Sequence, residues 1–244
     1  MTAREPKSTV RLISKSSEPF KDRAQAGQLL AVELSNLRGQ NAVILGIPRG
    51  GIIVARELAR LLEADLDIVL SRKLGTPGQS ELAMGALAED GKVFLNQEVV
   101  QTLRITPQEI EIEKARQMEE IRRRYQIIRN VLPRTPIEGR TVIVTDDGVA
   151  TGATMQAALW TTRQERPRKL IAAIPVASGD ALERLSEDAD EIICLRQPPF
   201  FYAVGQFYLV FRQVEDAELL QVLEEESRRR KTRSVPERSR TGGE

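Results

Sequence analysis

Between residues 42 and 195, short uninterrupted apolar runs alternate with stretches of helical periodicity, and this rhythm constrains the fold more than any other feature of the chain. Residues 42–47, 66–70, 92–95, 141–145, 170–176 and 191–195 read as strands, with helices expected at 52–62, 154–164 and 181–185. A strand covered by helices on both faces loses its in-out alternation and becomes a continuous apolar run, which marks a parallel sheet built from βαβ units. The expected fold class is α/β, a parallel sheet flanked by helices.

Two segments interrupt the rhythm. Thr106-Pro107 opens a charged helix predicted to run to about residue 131, with Met118, Ile121, Tyr125, Ile128 and Leu132 spaced three and four apart. So narrow a stripe packs either on its own chain or on a second copy in a homo-oligomer. The other segment is the loop 196–206, where Pro198, Pro199, Phe200, Phe201 and Tyr202 stand together outside any periodic element. Residues 1–19 are polar, and the stretch from Ser227 carries Arg228, Arg229, Arg230, Lys231 and Arg233, so both ends are expected to be flexible around a domain spanning 20–226. The basic tail is either solvated or meets an acidic partner.

Composition removes several kinds of chemistry. The chain of 244 residues has no histidine, which excludes Ser-His and Cys-His nucleophile pairs, histidine bases and histidine metal ligands. Cys194 is the single cysteine, so neither an intrachain disulfide nor a multi-cysteine zinc site is available, in keeping with a reducing cytoplasm. A formal net charge of +1 gives no general field for a nucleic acid, and no apolar span suits a signal peptide or a membrane helix. Any anion site must be local.

In open α/β sheets ligands bind beyond the carboxyl ends of strands. After the run 142–145, the chain reads Asp146-Asp147-Gly148-Val149-Ala150-Thr151-Gly152-Ala153-Thr154 and then enters a helix. Small side chains leave successive backbone N–H groups free to converge on an anion, and the helix N-terminus adds donors and a positive dipole end. Two adjacent carboxylates would repel a bare phosphate, so the ligand must also bring groups that seek carboxylates. A phosphorylated ribose with its hydroxyls, accompanied by magnesium, meets that requirement. The competing explanation is a strand-to-helix turn that uses Asp, Gly and Thr for capping alone. A second turn, Gly46-Ile47-Pro48-Arg49-Gly50-Gly51, combines paired glycines with a cation that can neutralise an anion. Arg72 and Lys73 follow the next strand and lead into Gly75-Thr76-Pro77-Gly78; they either bind an anion or are a solvated strand end.

The stretch 142–154 resembles the motif by which type I phosphoribosyltransferases bind 5-phosphoribosyl-1-pyrophosphate (PRPP): apolar positions, an acidic pair, two further residues, then a small-Thr-Gly-x-Thr loop. The resemblance covers roughly residues 20–225. It implies that Asp146 and Asp147 engage the ribose hydroxyls and, through water, Mg2+, and that Ala150, Thr151, Gly152, Ala153 and Thr154 hold the 5′-phosphate. By the same resemblance Arg49, Gly50, Gly51 and Arg72 meet pyrophosphate, and Asp146, Asp147, Arg49 and Lys73 are the catalytic candidates. The loop at 196–208 falls where the family carries a hood over the acceptor base, so Phe200, Phe201 and Tyr202 are expected either to stack on a base or to pack beneath the loop. Members that act on 6-oxopurines carry an Asp where this chain has Ala150, which disfavours hypoxanthine and guanine. Phe20, Asp22, Arg23 and the run 205–208 are similar to a stand-alone bacterial branch of the family. The implied reaction is transfer of the phosphoribosyl group to a nitrogenous base with release of pyrophosphate. A PRPP-sensing regulator, and less so a hydrolase of a phosphorylated sugar, remain as alternatives.

Overall fold

The structure, a computed structural model, describes residues 9–234. The five residues of β7 (Thr141–Thr145) are all buried, because they occupy the middle of a six-stranded sheet and are covered on both faces. Its neighbours are β2 (Val43–Gly46) and β8 (Lys169–Val176), and the full order is β1 (Thr9–Ser14), β9 (Glu191–Arg196), β8, β7, β2, β3 (Asp65–Ile68). Every pairing within it is parallel.

Alternate side chains of one strand feed two separate cores. Ile143 packs on one face with α1 (Arg23–Glu33), α2 (Gly51–Leu61) and α7 (Asp216–Ser234), while Val142 and Val144 pack on the other with α5 (Ala153–Arg163) and α6 (Gly179–Leu185). Each of these three side chains is fully buried and contributes ~1.5–3 kcal/mol of apolar burial. From β2 the chain crosses through α2 to β3 on one side, and from β7 it crosses through α5 to β8 on the other. The adjacent strands β2 and β7 therefore flank a topological switch point, and their carboxyl ends open a crevice there.

The interruption between β3 and β7 is a subdomain. β4 (Ser71–Thr76), β5 (Gln79–Ala88) and β6 (Val93–Leu95) form a small antiparallel sheet, followed by α3 (Gln97–Thr102) and α4 (Pro107–Val131). A capping box starts α4: Thr106 Oγ1 accepts from the Glu109 N–H, and the Glu109 carboxylate accepts from the Thr106 N–H. The apolar stripe of α4 packs on its own chain, with Ile110, Ile121 and Ile128 buried. Tyr125 departs from the expected stripe and is exposed. At ~100° per residue it lies about 40° from Ile121 and about 60° from Ile110 and Ile128.

Three sequence expectations need correction. Residues 9–14, expected within a flexible end, form β1, parallel to β9 with Thr9 opposite Glu191 and Leu12 opposite Cys194. As an edge strand it buries little, so its sequence shows no continuous apolar run. The basic stretch from Ser227 continues α7 as far as Ser234. Glu226, buried, pairs with Arg229 and Arg230 and accepts from the Leu66 N–H, while Arg233 reaches Asp65, so these arginines clip the helix to β3. Residues 1–8 and 235–244 of the expected ends lie outside the described residues. Finally, the loop expected at Gly75–Gly78 is the tight end of the β4–β5 hairpin, where Gly78 takes a left-handed φ of 77°. No helix among the described residues is long and apolar enough to cross a membrane.

α4 is fastened by Arg129, whose largely buried guanidinium bonds Asp67 at 2.7 Å and Glu89 at 2.9 Å, joining α4 to β3 and to the segment after β5. Removing it leaves the buried Asp67 without its guanidinium partner and Glu89 with Arg134 alone, so Arg129→Met should lower unfolding stability by about 3–5 kcal/mol in urea denaturation. A loss below about 1 kcal/mol would mean that the network is solvated and does not hold the subdomain.

Candidate functional site

Register brings the two sequence turns together. Gly46 of β2 lies opposite Thr145 of β7, and the Ile47 N–H donates to the Thr145 carbonyl at 2.9 Å, so Pro48–Gly51 and Asp146–Asp147 leave the sheet side by side. The Pro48–Arg49 peptide is cis. Gly50 has an ordinary helical φ of −61°, so its backbone would accept any residue. Space decides otherwise: a Cβ on Gly50 would collide with the Asp147 carboxylate, and one on Gly51 would sit 2.8 Å from the Asp146 Cα. The paired glycines seat the acidic pair.

Asp146 Oδ1 accepts the Asp147 N–H at 2.8 Å. Burial raises the Asp146 pKa well above the ordinary carboxylate value, and the neighbouring Asp147 charge raises it further. Burial also raises Asp147, against the opposing pull of Arg23. Arg23 Nε donates to Asp147 Oδ2 at 2.8 Å, its Nη1 donates to the Arg212 carbonyl at 2.8 Å, and its guanidinium lies 3.9 Å from the centroid of the Phe211 ring. Tyr208 Oη donates to the Asp147 carbonyl at 2.5 Å. The hydroxyl is held protonated, because burial and the nearby Asp147 charge both raise its pKa.

The loop after the acidic pair is tied to β8. The Val149 N–H donates to the Val176 carbonyl at 2.9 Å, the Ser178 N–H donates to the Val149 carbonyl at 3.1 Å, and Ser178 Oγ donates to the Ala150 carbonyl at 2.6 Å. Gly152, at a left-handed φ of 84°, turns the chain into α5. Thr151 and Thr154 are exposed at the mouth, where the first-turn N–H groups lack acceptors within the helix.

The other expected residues divide. Thr154, Pro48, Arg72 and Lys73 line one cavity of about 220 Å³. Arg49 turns out of it toward Glu215 and Asp216, at 3.8 and 3.7 Å. In the loop expected to act as the hood, Phe201 packs on Phe207 with ring centroids 5.0 Å apart, whereas Phe200 and Tyr202 are 70% and 85% exposed. Gln206 braces the loop by accepting from the Tyr202 and Ala203 N–H groups and donating to the Phe200 carbonyl. Val204 sits over Gly148, so the hood adjoins the acidic pair. Cys194 is buried and its thiol is pushed up to about 12 by that burial, which leaves no nucleophile there.

The family model of the phosphoribosyl transferase domain matches residues 20–212. The chain belongs to this family. Two Mycobacterium tuberculosis proteins, from strains CDC 1551 / Oshkosh and ATCC 25618 / H37Rv, each named "Putative phosphoribosyl transferase", are 42% identical over 205 residues, covering 84% of this chain and 46% of theirs. The chain thus spans about half the length of the curated relatives it matches. The crystal structure of TT1426 from Thermus thermophilus superposes with a TM-score of 0.80 at 45% identity, over 85% of this chain and 98% of that one. The fold class read from the sequence is that of these phosphoribosyl transferase relatives.

Family members use Mg2+ with PRPP. Asp146 and Asp147 are hard oxygen donors of the kind this ion accepts, and among the described residues no group of three or more His, Cys, Asp or Glu gathers as a metal cage. That donor set fits magnesium carried mainly by the phosphates of its ligand and by water.

Sequence reasoning did not place Arg23 in the site. One signal was available: a cation in the first turn of a helix opposes the dipole and needs another partner, here 124 residues away. The raised pKa of Asp146 also sets a sign. The native state binds protons more tightly than the unfolded chain, so its contribution to stability falls as pH rises above the unfolded value near 3.8. Asp146→Asn keeps a carbonyl acceptor and removes the charge. In the absence of ligand it should melt above wild type at pH 7, with the gap closing as pH falls toward about 4. A variant that melts below wild type at pH 7 would show that the carboxylate is well solvated.

Proposed function

We propose that the protein transfers the 5-phosphoribosyl group of PRPP to a nitrogenous acceptor and releases pyrophosphate. The observation that carries this reading is the meeting, at one switch point, of the acidic pair, the Gly50-Gly51 turn and the amino end of α5.

In this reading, the backbone N–H groups of 150–154 and the hydroxyls of Thr151 and Thr154 hold the 5′-phosphate, and Asp146 and Asp147 accept hydrogen bonds from the 2′ and 3′ hydroxyls. The bond between C1 and the pyrophosphate oxygen breaks with its electron pair leaving on pyrophosphate. An acceptor nitrogen forms the new bond to C1 and gives up its proton to solvent water. Positive charge developing on the ribose lies beside two carboxylates that are fixed in advance by Gly50, Gly51 and Arg23, so little reorganisation is needed. Asp146 and Asp147 would hold magnesium, whose role is to neutralise the departing pyrophosphate. No histidine is required. The exposed Phe200 and Tyr202 offer faces for a planar acceptor, while Phe201 is engaged with Phe207. Ala150 puts no carboxylate in the phosphate loop, which speaks against 6-oxopurines.

Thermal unfolding with magnesium tests the ligand. PRPP at 100 times its dissociation constant adds ~2.7 kcal/mol, a rise of roughly 5–10 °C for a domain of this size, and ATP should give none. A shift with ATP and none with PRPP would refute the reading. Pyrophosphate release with a panel of bases then separates the classes: release that depends on a base identifies the transferase, release without one a hydrolase, and binding without release a PRPP sensor.

A further inference from the structure

We propose that α4 forms the pyrophosphate wall of this site, and that Arg116 and Arg124 bind the leaving group together with Arg72 and Lys73 of β4. The assignment rests on the phosphoribosyl-transfer reading and gives the helical insertion a role in it.

The cavity of about 220 Å³ is far larger than the ~10–15 Å³ that a single water needs. Its lining includes Pro48 and Thr154, which belong to the two turns of the switch point, together with Glu113, Arg116, Gln117, Ile121 and Arg124 of α4. Glu113, Gln117 and Arg124 lie on the flank of α4 across the buried line from Tyr125, roughly one turn apart or a multiple of it. This flank is not free to turn elsewhere, because Ile110, Ile121 and Ile128 are buried beside it and Arg129 fastens the helix to Asp67 and Glu89.

Charge specifies the occupant. Arg72, Arg116 and Arg124 line the cavity, and among the described residues the lining carboxylate is Glu113, which accepts from Gln117 Nε2 at 2.8 Å and lies 3.7 Å from Arg116. Glu120 bonds Arg72 at 2.9 Å and Arg124 at 3.0 Å, with Arg123 at 3.5 Å, so one carboxylate holds three guanidinium groups close together. Four guanidinium groups, those of Arg72, Arg116, Arg123 and Arg124, thus share Glu113 and Glu120, and a diphosphate presents oxygens that match such guanidinium forks. The side chains have room to reorient, since Arg116 is 75% and Arg124 31% exposed. An acceptor base is the poorer fit, because no aromatic side chain lines this cavity, whereas Phe200 and Tyr202 stand in the hood that adjoins Gly148.

The test is calorimetric titration of magnesium pyrophosphate and, separately, of ribose-5-phosphate into wild type, Arg116→Gln, Arg124→Gln and Arg122→Gln. Arg122 is exposed on α4, is not among the cavity residues and controls for net charge. Loss of a charged hydrogen bond predicts that Arg116→Gln and Arg124→Gln weaken pyrophosphate binding about tenfold to a hundredfold. Ribose-5-phosphate binding in both, and pyrophosphate binding in Arg122→Gln, should stay within about twofold of wild type. Pyrophosphate affinity unchanged in both cavity variants, or reduced no more than in Arg122→Gln, overturns the assignment. Wild type that binds ribose-5-phosphate but not pyrophosphate also overturns it, while leaving the phosphoribosyl reading intact. Pyrophosphate held through these arginines without ribose-5-phosphate binding would support the wall and remove that reading. Binding of neither ligand overturns both.

Discussion

Two carboxylates that leave the carboxyl end of β7 and press against the backbone of the neighbouring turn set the terms for the rest of this molecule. Burial opposes ionisation of both, and their mutual repulsion adds to the penalty at Asp146. The surroundings are arranged to bear that cost: glycines at 50 and 51 leave room, the Asp147 N–H binds Asp146, and Arg23 neutralises Asp147 from behind. In the proposed reaction, the cation and hydroxyls of the ligand would offset that penalty.

The same constraint explains why distant parts of the chain converge. Phe20 pairs with Tyr208 through backbone bonds to Phe207 and Leu209, Tyr208 bonds the Asp147 carbonyl, and Arg23 is sandwiched between Asp147 and Phe211. Residues near both ends of the domain thus close behind the acidic pair, while the hood begins directly beside it. Arg129 and the apolar stripe hold α4 where its charged flank lines one cavity with Pro48 and Thr154.

Much of this was legible in the sequence because it depends on local pattern. β7 and the start of α4 fall where the apolar run and the Thr106-Pro107 cap put them, and Asp146–Thr154 lies after the most buried strand. What was hidden depends on tertiary partners. β1 gains its order by pairing with β9 and so carries no buried pattern. The arginines after Ser227 resemble a solvated tail until Glu226, Asp65 and the backbone of β3 are seen to receive them. Arg23 meets its partner 124 residues away, and the flank of α4 that lines the cavity has the composition of any exposed helix face. Arg49 was expected over pyrophosphate and instead faces Glu215 and Asp216 in this structure, because two carboxylates at the start of α7 lie within reach.

The central claim is that Asp146 and Asp147 are the ribose-binding groups. It is tested most directly by titrating PRPP with magnesium into wild type and into the Asp146→Asn, Asp147→Asn double variant, after confirming by circular dichroism that the variant is folded. The account predicts one saturable site per chain in wild type and a loss of at least about tenfold in affinity in the variant, since two charge-assisted hydrogen bonds are weakened. A folded double variant that binds PRPP as tightly as wild type would contradict it.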